Sequence, residues 1–141
     1  MIKEKFNLNN KVAIITGASK GIGESMARGL AEFGANVVIS SRKLDAVEKV
    51  ASQFNSEGLS AIGLECHVAK EDQQKELIQK VMEKYGRIDI LINNAGTNPY
   101  YGSVDKMPLN VYQKTMDINI NSAISLSNLV YPIMKKQKRG S

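Results

Sequence analysis

The feature that most constrains this chain is an apolar run, Lys11 to Thr16 (KVAIIT), that breaks straight into glycines at Gly17, Gly21 and Gly23. A continuous β-branched run of this kind is a strand buried on both faces. From Ile22, apolar residues recur at Met26, Leu30 and Phe33 at helical spacing, and Gly34 follows as the usual residue past a helix end. The glycines between strand and helix permit a tight turn and close backbone approach. Such a turn aims unpaired helix N–H groups and the positive end of the helix dipole at one point, which suits a phosphate. Three residues separate Gly17 from Gly21, so the spacing departs from the common G-x-G-x-x-G, and a strand–helix turn that merely needs glycine looks the same.

The same unit recurs along the chain. Asn36 to Ser40 (NVVIS) has strand character, and Leu44, Val47, Val50, Ala51 and Phe54 mark a second helix closed by Gly58. Ser60 to Cys66 is a third strand. A third helix runs through Leu77, Ile78, Val81 and Met82 to Tyr85, ended by Gly86, and Ile88 to Asn93 is a fourth strand. Gly96 to Pro108 is a loop. Leu109 to Lys138 is helical, with a kink expected at Pro132. Alternating strands and helices with right-handed crossovers predict an α/β fold of Rossmann type, a doubly wound parallel sheet of order 3-2-1-4. Strand four is then an open edge, which a buried-type strand rarely forms. Residues 1–141 are therefore expected to be a single domain whose sheet is incomplete.

Composition narrows the setting. The apolar fraction is 43% and the charged fraction 23%, and no apolar run nears the roughly 18 residues of a membrane helix. The first ten residues are polar, so no secretory signal is expected. Cys66 is the single cysteine, which leaves no intrachain disulfide and no multi-cysteine metal site. A cytoplasmic location follows as the expectation, and a peroxisomal address would lie at a C-terminus not included here. Much of the +5 charge crowds into Lys135, Lys136, Lys138 and Arg139, where cations suit a helix C-terminus. With no interleaved aromatics and no other basic stripe, neither nucleic acid nor membrane is an expected partner.

The end of strand two sets the cofactor. An NAD site usually places an acid there to bind the ribose hydroxyls. This chain has Ser40-Ser41-Arg42-Lys43, with no carboxylate before Asp45. A serine and an arginine fork hold a 2′-phosphate that an acid would repel, and Lys20 adds a second cation. Cations opening a helix oppose its dipole, so a bound anion accounts for them better than a solvated surface does. NADP(H) is preferred over NAD(H).

TGASKGIG after strand one, NNAG (Asn93 to Gly96) after strand four, and Asp117-Ile118-Asn119 in the long helix together resemble the short-chain dehydrogenase/reductase family. The resemblance covers the chain from about Leu8 onward. SSRK, CHV, NPYYGS and MDIN are similar to the NADPH-dependent carbonyl and retinal reductases, with the 3-oxoacyl-carrier-protein reductases a near second. The resemblance implies that Gly17, Ser19, Lys20, Gly21, Ile22 and Gly23 surround the pyrophosphate and adenosine ribose. It gives the 2′-phosphate to Ser41 and Arg42, and it runs Asn93, Asn94, Ala95 and Gly96 past the ribose with Val68 and Ile118 nearby. Asn119 matches the asparagine of the family's catalytic tetrad, which kinks the long helix and holds a water in the proton relay. Where the family usually has an aspartate on the adenine amino group, this chain has His67. Two readings stand for it: an adenine contact through a neutral ring nitrogen, or a partly exposed strand-end residue. The family's long helix also lies at the subunit interface, so homo-oligomerisation through 109–138 is expected.

The family's chemistry moves hydride between the nicotinamide and a carbonyl or alcohol carbon. It relies on a serine and a Tyr-x-x-x-Lys pair that follow strand five. Tyr131 and Lys135 have that spacing but precede any fifth strand, so Tyr131 is expected to pack on an apolar face. The chain by itself is expected to bind the dinucleotide weakly and not to turn over. The competing readings are a non-catalytic nucleotide-binding or interaction module, and a methyltransferase-type domain, which usually wants an acid where Ser41 stands.

Overall fold

The computed structural model describes residues 2–141, with side chains from Glu4 onward. In chain order the elements are α1 (Ile2–Lys5), β1 (Val12–Thr16), α2 (Gly21–Glu32), β2 (Asn36–Ser41), α3 (Leu44–Ser56), β3 (Ser60–Glu65), α4 (Glu71–Tyr85) and β4 (Ile90–Ile92). A 3-10 turn at Val104–Lys106 precedes α5 (Leu109–Met116), a π-turn at Asp117–Asn121 and α6 (Ser122–Gln137). The four strands are parallel in the order β3-β2-β1-β4, as the connections require. Ile14 in the middle of β1 lies between Val38 and Leu91.

Successive strand residues point to opposite faces, so the sheet builds two apolar layers. Ala13, Ile15, Val37 and Ile39 pack with Ala27 and Ala31 of α2 and with Val47, Ala51 and Phe54 of α3. Val12, Ile14 and Val38 pack with Leu77 and Val81 of α4 and with Leu126 and Val130 of α6. Every residue of β1 is buried, which is why its sequence shows no alternation. The α2 and α3 helices are joined outside the core by Arg28, which pairs with Glu57 and lies 4.5 Å over the Phe54 ring.

The N-terminal edge of the sheet is pinned by polar groups. The buried Asp89 accepts from the Val12 N–H (2.9 Å) and from Arg87 Nε and Nη2 (2.8 and 2.6 Å), with Lys11 Nζ at 3.7 Å. Gln137, at the end of α6, accepts from the Ile88 N–H (3.1 Å) and donates to the Ile88 carbonyl (2.8 Å).

Several expectations change. The fourth strand is three residues long rather than Ile88 to Asn93, because Asn94 turns away to bond the end of β1. Its outer edge is not left open at Ile90: the Ser141 N–H donates to the Asp89 carbonyl and the Leu91 N–H to the Ser141 carbonyl, both at 2.9 Å. These two bonds form a parallel bridge on the side away from β1. The long helix runs through Pro132 without a break, and its irregularity falls at Asp117–Asn121 instead. Tyr131 does not pack: it is 61% exposed, with Lys135 Nζ 5.8 Å from its ring centre. No helix among the described residues is long and apolar enough to cross a membrane.

Candidate functional site

At the C-terminal edge of the sheet, the turns after β1, β2, β3 and β4 enclose a cleft of about 680 Å³. This is where an open parallel sheet binds ligands, since strand order reverses between β1 and β4. The cleft brings together Gly17, Ser19, Lys20, Gly21, Ser41, Arg42, His67, Val68, Asn94, Ala95, Gly96 and Ile118 from the expected set. It adds Lys43, Ala46, Cys66 and Thr97. Four expected residues do not line it. Ile22 is 75% exposed at the start of α2, and Gly23 is buried beneath the turn. Asn93 donates to Ser127 Oγ (3.1 Å) and so faces α6, while Asn119 sits behind Gly96.

The floor is a clamp between the ends of β1 and β4. Thr16 is buried, and its Oγ1 accepts from the Asn94 and Ala95 N–H groups, each at 3.0 Å. The Asn94 amide donates back to the Thr16 and Gly17 carbonyls (2.9 and 3.1 Å). Gly17 has φ +62°, and a Cβ there would come within 2.8 Å of the Ala95 Cα. Gly23 is needed for space, because its Cβ would lie 2.5 Å from both the Gly17 carbonyl oxygen and the Asn94 amide. Both groups are backbone or tightly bonded, so neither can yield cheaply.

Three helices start at this edge, and each starts badly. Lys20, Lys43 and Lys70 occupy the N-cap positions of α2, α3 and α4, with no side-chain cap bond at any of them. Serine, threonine, aspartate or asparagine normally serves there, and a lysine opposes the dipole. Lys20, Arg42 and Lys43 line the cleft, and no carboxylate does. The cleft is thus electropositive in side chains and in helix ends alike. These residues fit a dinucleotide through its phosphates, with the cations and the N–H groups at the helix starts as donors.

The turn after β3 forms the far wall. Cys66 donates its N–H to the Ser41 carbonyl (2.8 Å), placing His67 and Val68 beside the end of β2. His67 Nδ1 accepts from the Ala69 N–H at 3.2 Å. Burial, with the nearby charges of Arg42, Lys70 and Lys114, holds the imidazole below its usual pKa, so it is neutral at pH 7. Burial, aided by Asp72 and Glu76, pushes the Cys66 thiol up to about 11, which leaves it unreactive. Among the described residues, no His, Cys, Asp or Glu cluster is placed to hold a metal ion.

Two positions support the wall from behind. Buried Gln74 of α4 donates to the Val68 and Ser122 carbonyls (2.5 and 3.4 Å) and accepts from Ser125 Oγ (2.6 Å). The loop after β4 is held by Asn119: its Oδ1 accepts from the Thr97 N–H (2.7 Å) and its Nδ2 donates to the Thr97 carbonyl (2.8 Å). Gln74 had a sequence signal, since it shares the helical stripe of Leu77, Ile78 and Val81. Thr97 had none.

Comparison with known proteins agrees with this fold. The family model described as short chain dehydrogenase matches residues 11–141. The chain is 41% identical over 134 residues to human dehydrogenase/reductase SDR family member 4, covering 95% of this chain and 48% of that protein. A solved metagenomic short-chain oxidoreductase in complex with NADP is similar with TM-score 0.90 at 31% identity, over 94% of this chain and 60% of that one. A gluconate 5-dehydrogenase from Burkholderia cenocepacia, in complex with NADP and tartrate, is similar with TM-score 0.92 at 31% identity, over 99% and 55%. The chain spans about half the length of the relatives it matches.

Proposed function

The chain belongs to the short-chain dehydrogenase family, and from that premise we propose that it is the cofactor-binding portion of an NADP(H)-dependent oxidoreductase acting on carbonyl or alcohol substrates. When bound, the dinucleotide supplies hydride transfer between its nicotinamide and a substrate carbon. The chain's own residues bind and orient. The backbone from Gly17 to Gly21 and the start of α2 take the pyrophosphate, with Ser19 beside them. Ser41 and Arg42 take the 2′-phosphate, with Lys20 and Lys43 as further cations. Asn94, Ala95 and Gly96 run their backbone past the ribose. The Asn119 side chain ties down Thr97 with one acceptor site and one donor, which leaves its backbone, its second lone pair and its second N–H for any part in a proton relay. Self-association is assigned to the exposed face of α6, and the cytoplasm is the proposed location.

One observation carries this reading: three cations and no carboxylate line the cleft where β2 ends. Two structural neighbours hold NADP, which supports it. The resemblance of SSRK, CHV, NPYYGS and MDIN favours a carbonyl reductase over a 3-oxoacyl reductase. Tyr131 and Lys135 lie outside the residues lining the cleft, so these 141 residues are expected not to consume NADPH with a carbonyl substrate.

The test is a titration with NADPH and NADH. A charge-assisted bidentate contact is worth about 1.5–3 kcal/mol, so NADPH should bind tighter by about tenfold or more. Arg42→Ala should remove most of that difference while leaving NADH binding unchanged. Equal or stronger retention of NADH, or of neither dinucleotide, overturns the reading.

A further inference from the structure

We infer that His67 reads the purine of the bound dinucleotide as a hydrogen-bond donor, so that the cleft takes a 6-oxopurine dinucleotide as readily as the 6-aminopurine form. The inference rests on the dinucleotide reading above and adds its base selectivity.

The position of the base follows from the phosphate. With a 2′-phosphate on Ser41 and Arg42, the base lies one ribose away along the cleft. The next backbone in that direction is the end of β3, because Cys66 is bonded to Ser41. His67 and Val68 are the cleft residues there.

The turn that carries His67 is bonded at almost every point. The His67 N–H donates to Gln73 Oε1 (2.7 Å), and its carbonyl accepts from the Lys70 N–H (2.9 Å). The Val68 carbonyl accepts from Gln74 Nε2. The ring itself is tethered, since Nδ1 accepts from the Ala69 N–H. A nitrogen that accepts carries no proton, so the proton of the neutral ring sits on Nε2, the atom across the ring from the tether. Protonation does not change this, because Nε2 keeps its hydrogen in the imidazolium form. Only loss of the Ala69 bond would turn the outer nitrogen into an acceptor.

Base chemistry then decides what His67 can select. The 6-amino group of adenine only donates, so a donor at this point cannot pair with it. Nε2–H can pair with a ring nitrogen, which both purines offer, or with the 6-oxo oxygen, which hypoxanthine alone offers. A carboxylate at position 67 would differ. One of its oxygens would keep the Ala69 bond and the other would present an acceptor, selecting the amino group.

The experiment titrates the 141-residue chain with NADPH and with reduced nicotinamide hypoxanthine dinucleotide phosphate, each followed by its own fluorescence. The hypoxanthine form should bind with at least about one third of the NADPH affinity, as no buried acceptor is left unpaired by it. His67→Asn keeps both the Ala69 acceptor and an outward N–H donor, so it should keep that ratio. His67→Asp should move the ratio about tenfold toward adenine, as sites built to pair a specific polar group reject the analogue lacking it. A wild-type preference for adenine beyond about threefold, or a shift below about threefold in His67→Asp, overturns the inference while dinucleotide binding stands. Retention of neither dinucleotide by the wild type overturns the site reading and this inference with it.

Discussion

At the scale of single residues, the glycines of the first turn serve three different needs. Gly21 has φ +62° with open space around its missing Cβ, so only its backbone conformation demands glycine. Gly23 has room for no side chain at all, and Gly17 meets both limits. Gly21→Ala should therefore cost about 1–2 kcal/mol, the strain of a left-handed alanine. Gly23→Ala should cost about 1–3 kcal/mol from overpacking, and should also spread Asn94 from Thr16. Urea denaturation of the two variants, with NADPH binding as a second readout, checks the contrast. A Gly23→Ala protein that binds normally would show that the Asn94 clamp is slack. These requirements were visible in the sequence as glycines, but not which limit acted on which one. That distinction depends on Ala95 and Asn94, more than 70 residues further along the chain.

Among the elements, the strands and the first three long helices were legible because burial on both faces writes a plain signal. Continuous β-branched runs gave β1 and β2, and glycines closed α2 to α4. The π-turn at Asp117–Asn121 was not legible from periodicity. A one-residue insertion in the ladder leaves the apolar spacing of α5 and α6 nearly intact, and only the family resemblance pointed to a kink at Asn119. Pro132 misled for the opposite reason. It lies on an exposed part of α6, where a missing N–H is tolerated. The π-turn carries Ile120 and α6 carries Ile124 and Tyr131, exposed by 46%, 58% and 61%. Apolar side chains at helical spacing on an outer face mark a contact surface. Ile124→Glu should move the protein toward monomer, and light scattering against the wild type reads this directly. A wild type that is already monomeric at working concentration would remove the case for that face.

For the whole molecule, the two edges of the sheet differ: the C-terminal edge gathers Lys20, Arg42 and Lys43 around the cleft, and the N-terminal edge pairs its charges internally. Burial pushes the Asp89 carboxyl up, but the Arg87 and Val12 hydrogen bonds and the charges of Arg87 and Lys11 outweigh it and hold it below the usual carboxylate range. A carboxyl depressed in the folded state stabilises fully above its unfolded pKa near 4, and that contribution is lost as pH falls through the folded value. Stability measured by urea should fall steeply with acid below about pH 5 in the wild type. Asp89→Asn should be weaker by about 1–3 kcal/mol at pH 7 and show a flatter acid slope. Equal slopes would mean that Asp89 is not the group being titrated. This arrangement also governs how the chain finds its pairing. Were β4 to slide one step along β1, the carboxylate would leave the Val12 amide and Lys11 and keep only Arg87, which travels with it. The slipped sheet would lose that cross-strand bond along with its packing, so a single aspartate works as a ratchet that helps the sheet settle in one alignment.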